Sequence, residues 1–204
     1  MPVIHAAPLP YESLLPPREP AAVDLVVIHC TELPDLATAR EYGERALYDS
    51  GTGNSGHYYI DRDGSIHQYV DVLRVAHHVR GINPRSLGIE LVNRGRYPHW
   101  LDSRHQAMDE PYPRAQIDAL VALLRWLPVR LPALHWIAGH EELDTEQVPA
   151  SDDPARRVPR KRDPGPRFPW EAVLAAQPLQ RLPTPKPTNS QERTSVRDEH
   201  LACR

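Results

Sequence analysis

Excess positive charge, long apolar runs and an evident disulfide framework are all missing from this chain of 204 residues, and each absence excludes something. A formal net charge of −3 with both signs interspersed supplies no basic field, which argues against nucleic acid and anionic membranes as partners. No apolar stretch approaches the roughly 20 residues needed to span a bilayer. The first twenty residues lack a basic segment followed by an apolar core, so no export signal is expected and a cytoplasmic location is. Only two cysteines are present, Cys30 and Cys203, and the second lies in a polar terminal stretch; both are expected as free thiols. Aromatics are few, and 23 prolines against 10 glycines point to long ordered loops and extended ends rather than continuous helix. The length suits one domain with a substantial core.

The stretch around which the rest is organised is Leu25 to Thr31, an apolar run that ends abruptly in His29, Cys30 and Thr31. Such a run reads as a strand buried on both faces. Polar groups at its end have to be satisfied, because burying them bare costs a few kcal/mol. Before it, residues 1–22 read as an extended arm. After it, a helix is expected from about Thr38 to Tyr48, with Thr38 and Glu41 as a capping box. The glycine-rich loop at 50–56 lacks the Gly-x-x-x-x-Gly-Lys spacing of a phosphate cradle. Two short aromatic and β-branched runs around Asp63-Gly64 form a hairpin. A third strand spans Ser86 to Val92, with Leu87, Ile89 and Leu91 on one face and Ser86, Gly88 and Glu90 on the other. That second face is small and polar, as though another group sits over it.

Residues 93–112 are polar, irregular and too long for a simple connector, so they are expected to line a cleft. A helix over Pro113 to Leu127 carries an apolar stripe, a strand over Ala133 to Ile137 leads to Gly139-His140, and a short helix covers Phe168 to Ala176. Between the last two lie an acidic stretch, a basic one and the turn Asp163-Pro164-Gly165-Pro166. Residues 178–204 shift to Pro, Thr, Ser, Gln and charge and read as a disordered tail, leaving 23–177 as the domain. The order of elements predicts an α/β fold, a central mixed β-sheet flanked by helices.

His29, His140 and Asp163 each sit just beyond an expected element. A lone histidine at a strand end is ordinarily a hydrogen-bonded structural residue. Two imidazoles and a carboxylate together match the donor set of a catalytic zinc, which takes three protein ligands and keeps a fourth position open. Spacing alone does not bring them together. The motifs Val-Val-Ile-His-Cys-Thr (26–31), Ser-Gly-His-Tyr-Tyr-Ile-Asp-Arg-Asp-Gly (55–64), Ser-Leu-Gly-Ile-Glu-Leu (86–91), Gly-His (139–140) and Lys-Arg-Asp-Pro-Gly (161–165) occur in that order. In this the chain resembles the zinc-dependent N-acetylmuramoyl-L-alanine amidases of the type 2 amidase family, over about residues 24–174. That family includes AmpD-like recycling enzymes and is related to phage lysozyme-type amidases and peptidoglycan recognition proteins.

The resemblance implies an amidase/peptidoglycan-recognition-like fold and one Zn2+ per chain on His29, His140 and Asp163. It further implies Glu90 as general base and Lys161 as stabiliser of a developing oxyanion. The reaction implied is hydrolysis of the amide joining the lactyl group of N-acetylmuramic acid to L-alanine, in peptidoglycan or its muropeptide fragments. His57, His78 and Asn83 also fall on family positions and are expected to line the cleft and contact substrate; for His57, support of a metal ligand from behind is the alternative. Cys30 is a ligand by type, but its neighbour His29 points to the opposite face of the strand, so it reads as core. The segment between His140 and Asp163 is longer than is usual in the family, and Glu141, Glu142, Asp144, Asp152 and Asp153 compete with Asp163 as carboxylate ligands. A recognition module that binds without hydrolysis, and a structural domain with an incidental histidine pair, are the competing readings. Retention of all three ligands with Glu90 and Lys161 favours the enzyme.

Overall fold

The computed structural model describes residues 1–183. A seven-stranded sheet runs in the order β1 (Ile4–Ala6), β4 (Ile66–Gln68), β3 (Tyr58–Ile60), β5 (Ser86–Leu91), β2 (Leu25–Cys30), β6 (Trp136–Gly139), β9 (Gln180–Arg181). Only the β3–β4 hairpin is antiparallel; the other pairings are parallel, which makes the sheet mixed as expected. Every residue of β2 is buried, because it is paired on both edges and covered on both faces.

Alternation along the central strands decides what each face carries. Val26 and Ile28 of β2, with Leu87, Ile89 and Leu91 of β5, join one apolar cluster. Leu120, Leu123, Leu124 and Leu127 of helix α2 (Arg114–Arg130) complete it, all without solvent exposure. Burying side chains of this size contributes about 1.5–3 kcal/mol each before entropy is counted. Cys30 falls on this core side, as its alternation with His29 requires. The opposite face carries Leu25 and Val27 near the strand start and His29 near its end.

Several boundaries differ from expectation. Helix α1 (Leu36–Gly43) begins before Thr38, because Asp35 is its N-cap and accepts from the Thr38 amide at 2.7 Å. It stops at Gly43, short of Tyr48. Helix α2 continues past Leu127 to Arg130 through Pro128, which has no N–H to donate to the Leu124 carbonyl one turn back. The strand expected at Ala133 starts only at Trp136, since a turn closed by Leu134 N to Leu131 O follows the helix. The 141–162 segment holds a short helix, α3 (His140–Leu143), and the hairpin β7 (Gln147–Pro149) and β8 (Arg157–Pro159). Helix α4 covers Trp170–Ala176.

Both ends of the described chain take part in the fold. The arm expected at 1–22 contributes β1 and buries Leu9, Tyr11 and Leu15 in a second apolar cluster. Leu179 is buried and β9 pairs with β6 inside the stretch expected as a tail. The rest of that stretch, with Cys203, lies outside the described residues. No helix among the described residues is long and apolar enough to cross a membrane.

Candidate metal centre

Parallel register places the ends of β2, β5 and β6 at one edge of the sheet, with His29 opposite Glu90 and Ile28 opposite Gly139. Carboxyl ends of strands in parallel sheets are where ligands are usually received, because the chain leaves the sheet there and its loops form a crevice. His29 is the penultimate residue of β2, His140 opens α3 directly after β6, and Asp163 stands in the turn ahead of α4. All three are buried, and their ligand-type atoms lie within 4.8 Å of one another. Asp163 Oδ2 is 2.9 Å from His29 Nδ1 and 3.1 Å from His140 Nδ1.

Four of the five competing carboxylates are held in ion pairs elsewhere. Asp144 pairs with Arg80 and Arg160, Glu142 with Arg181, Asp152 with Arg104 and Asp153 with Arg156. Among the described residues, the only His/Cys/Asp/Glu group with metal-binding geometry is His29, His140 and Asp163.

Hydrogen bonding behind His29 tests whether these residues suit a cation. Ser86 Oγ donates to the carbonyl of Ile82 at 3.0 Å, which leaves it to accept from His78 Nε2 at 3.2 Å. His78 Nδ1 then accepts from His29 Nε2 at 3.0 Å. Burial, reinforced by the facing imidazoles, pushes His29 down to about 4 and His78 well below the ordinary histidine range, so both rings are neutral. Burial would raise the Asp163 carboxyl, but His140 and His29 outweigh it and hold it well below the carboxylate range. With Nε2 of His29 engaged by His78, Nδ1 is the nitrogen turned toward Asp163 Oδ2. An imidazole nitrogen and a carboxylate oxygen this close have the chemistry of ligands sharing one cation. Asp163 Oδ1 and His140 Nε2 are also buried without a protein partner. Ligands around a tetrahedral zinc with bonds near 2.0–2.1 Å stand about 3.3 Å apart, close to the separations found. The donor set fits.

Glu90 projects from the polar face of β5, partly exposed to the crevice. Burial, with the negative charge of Asp163, pushes its carboxyl up to about 8 against the pull of Lys161. Two glycines make room on this face. A Cβ on Gly56 would stand 2.8 Å from Glu90 Cγ, and one on Gly88 would stand 2.7 Å from His78 Cγ. His78 is thus the group that the small polar face of β5 implied. A cavity of about 710 Å³ opens over His29, His140, Asp163, Glu90 and Lys161. Trp100 and Arg96 line it, so the 93–112 segment does form part of its wall.

The three expected substrate contacts fare differently. His57 is fully buried and outside the cavity wall: its Nδ1 accepts from the Gly88 amide at 3.0 Å, and its Nε2 faces the Arg74 carbonyl and the Arg18 guanidinium. Burial, then the Arg18 charge, holds that imidazole well below its ordinary range. It stands behind His78, with ring centroids 5.6 Å apart, where it cannot touch a ligand in the crevice. His78 lines the cavity, yet both its nitrogens serve the chain from His29 to Ser86. Asn83 also lines it, with Oδ1 taken by the amides of His78 and Val79. The sequence reading missed the buried pair Glu32–Arg96 on the cavity wall; two charged residues in separate polar loops carry no signal that they meet.

A family model described as N-acetylmuramoyl-L-alanine amidase matches residues 19–166. The chain is 36% identical over 92 residues to N-acetylmuramoyl-L-alanine amidase AmiD of Escherichia coli, a match covering 45% of this chain and 28% of that relative's length. Among solved structures, the amidase LysC from Clostridium intestinale superposes with a TM-score of 0.61 at 21% identity, covering 88% of this chain and 100% of that one. AmpDh3 from Pseudomonas aeruginosa in complex with anhydromuramic pentapeptide superposes with a TM-score of 0.56 at 27% identity, covering 76% of this chain and 60% of that one.

Proposed function

Since the chain belongs to the N-acetylmuramoyl-L-alanine amidase family, whose model spans most of its length, we propose that it is a zinc hydrolase cutting the amide between the lactyl group of N-acetylmuramic acid and L-alanine. Peptidoglycan or its soluble muropeptides are the substrate class, with action on imported fragments in the cytoplasm as part of the reading. The observation that carries it is the convergence of His29, His140 and Asp163, with Glu90 beside them, on one cavity.

His29, His140 and Asp163 would hold the metal. A zinc ion there supplies Lewis acidity, which makes water nucleophilic near neutral pH and polarises an amide carbonyl. Glu90 faces the same space with a carboxyl whose raised pKa lies near working pH, so it can take a proton from attacking water and return it to the departing amine. The Lys161 ammonium lines the cavity and opposes negative charge developing on the carbonyl oxygen. His78, backed by Ser86, engages His29 Nε2 and leaves Nδ1 turned toward the site.

The test is metal analysis coupled to a product assay. Purified protein with one equivalent of zinc, given soluble anhydromuropeptide or whole sacculi, should release free stem peptide from at least one. Chelation should abolish release and zinc restore it. Tight binding of either material with no release under any metal loading would leave a recognition module in place of an enzyme.

A further inference from the structure

Glu32 and Arg96 are charged residues in the wall of the catalytic cavity, and both are almost fully buried. Glu32 follows the end of β2 with φ of 49°, a left-handed conformation that a side chain larger than glycine adopts only when its surroundings enforce it. The enforcement comes from Arg96. Its Nε donates to Glu32 Oε1 at 2.6 Å and its Nη2 to Oε2 at 2.8 Å, a two-pronged pair. Gly95, itself at φ of 50°, presses so close that a Cβ there would stand 2.7 Å from Glu32 Cγ. Trp100 Nε1 donates to the Glu32 carbonyl at 3.1 Å.

The remaining guanidinium donors go to other segments. Nη1 reaches the Pro159 carbonyl at 2.9 Å and Gln106 Oε1 at 3.3 Å, and Nη2 also reaches the Arg160 carbonyl at 3.4 Å. A guanidinium has five N–H groups, and here all five have acceptors. Although Arg96 borders the cavity, it has no donor left for a carboxylate on a substrate. What it does instead is join three pieces of chain: the exit of β2, the 93–112 segment, and the backbone immediately ahead of Lys161.

We propose that Arg96, locked to Glu32, is the positioning residue for Lys161, fixing the peptide carbonyls at 159 and 160 so that the ammonium is delivered over the scissile amide. This rests on the reading of Lys161 given above. Its consequence is a guanidinium that acts on turnover without touching substrate.

Arg96→Gln, Lys161→Ala and the double variant test it, with kcat and KM measured on anhydromuropeptide and zinc content determined for each. Arg96→Gln should keep its zinc and lower kcat about tenfold with KM within about twofold. In the Lys161→Ala background the same change should cost no more than about twofold, because the group it positions is gone. Equal losses in both backgrounds, a rise in KM alone, or loss of zinc would each overturn the assignment. Arg96→Lys, which keeps the charge but not the fork, replaces the glutamine variant if that fails to fold.

A second readout needs no activity. The chain has two lysines, Lys161 and Lys186. After reductive 13C-methylation, the Lys161 methyl signal should move in Arg96→Gln to the position of an unstructured dimethyl-lysine while that of Lys186 stays. Two unmoved signals would overturn the proposal. If the wild-type protein hydrolysed nothing, the amidase reading would fall on its own and the methyl signals would still decide whether Arg96 places Lys161.

Discussion

Replacing Glu90 with glutamine keeps its shape and removes its ionisation, which makes it the sharpest probe of the crevice. In the folded metal-free protein the Glu90 carboxyl is pushed up to about 8 from 4.5. The sign follows from where the proton is held. The unfolded chain releases it near pH 4.5, whereas the folded chain keeps it until about pH 8. Stability from this group is therefore complete below the unfolded value and is lost as pH rises through the folded one. The full rise corresponds to about 5 kcal/mol at most; because Glu90 is partly exposed, about 2 kcal/mol is the figure expected after solvent screening. Denaturant unfolding of the chelated protein at pH 5 and pH 8.5 measures it. Wild type should lose about 2 kcal/mol more across that interval than Glu90→Gln. Adding zinc should shrink the wild-type loss, since a nearby cation favours the carboxylate. The loaded variant should bind one zinc and lose about 10²- to 10⁴-fold in kcat. Parallel pH–stability profiles for the two chelated proteins would refute the account of the carboxyl, and near-normal turnover would refute its role as base.

Other perturbations probe what surrounds the site. Gly88→Ala drives a Cβ to 2.7 Å from His78 Cγ, and that ring is held at both nitrogens, so His29 loses its backing. Zinc affinity, read by competition with a chromogenic chelator, should fall about 10- to 100-fold, and unchanged affinity would show that the relay does not matter. Leu124→Ala opens a cavity between α2 and the sheet, where Leu124 has no exposure. It should cost about 2–5 kcal/mol in denaturant unfolding while zinc stoichiometry is unchanged; a cost below about 1 kcal/mol would mean that this cluster is not the core it is taken for.

Local pattern made much of this molecule legible. Continuous burial of β2, the two unlike faces of β5, the hairpin around Asp63-Gly64 and the leucine stripe of α2 all follow from side-chain periodicity, because a strand repeats every two residues and a helix every 3.6. Element ends were less legible: Asp35 and Thr38 are both acceptable caps, and only the packing of the finished helix chooses between them. The sheet's outer strands escaped notice because Ile4–Ala6 and Gln180–Arg181 are too short to show a period.

Residue types and their order were enough to single out two imidazoles, one carboxylate, Glu90 and Lys161 as groups with something to do. Their convergence was a matter for tertiary structure, since His29 and Asp163 are separated by 134 positions and meet only through the parallel register of β2, β5 and β6. The same holds for what left the cavity wall and what joined it. His57 withdrew behind His78 because Arg18 and the Gly88 amide meet it there, and Arg96 came inward because Glu32, 64 positions away, was the carboxylate that could hold it. Short-range chemistry is written along the chain; which distant groups share a dielectric and a hydrogen bond is decided only when the sheet closes.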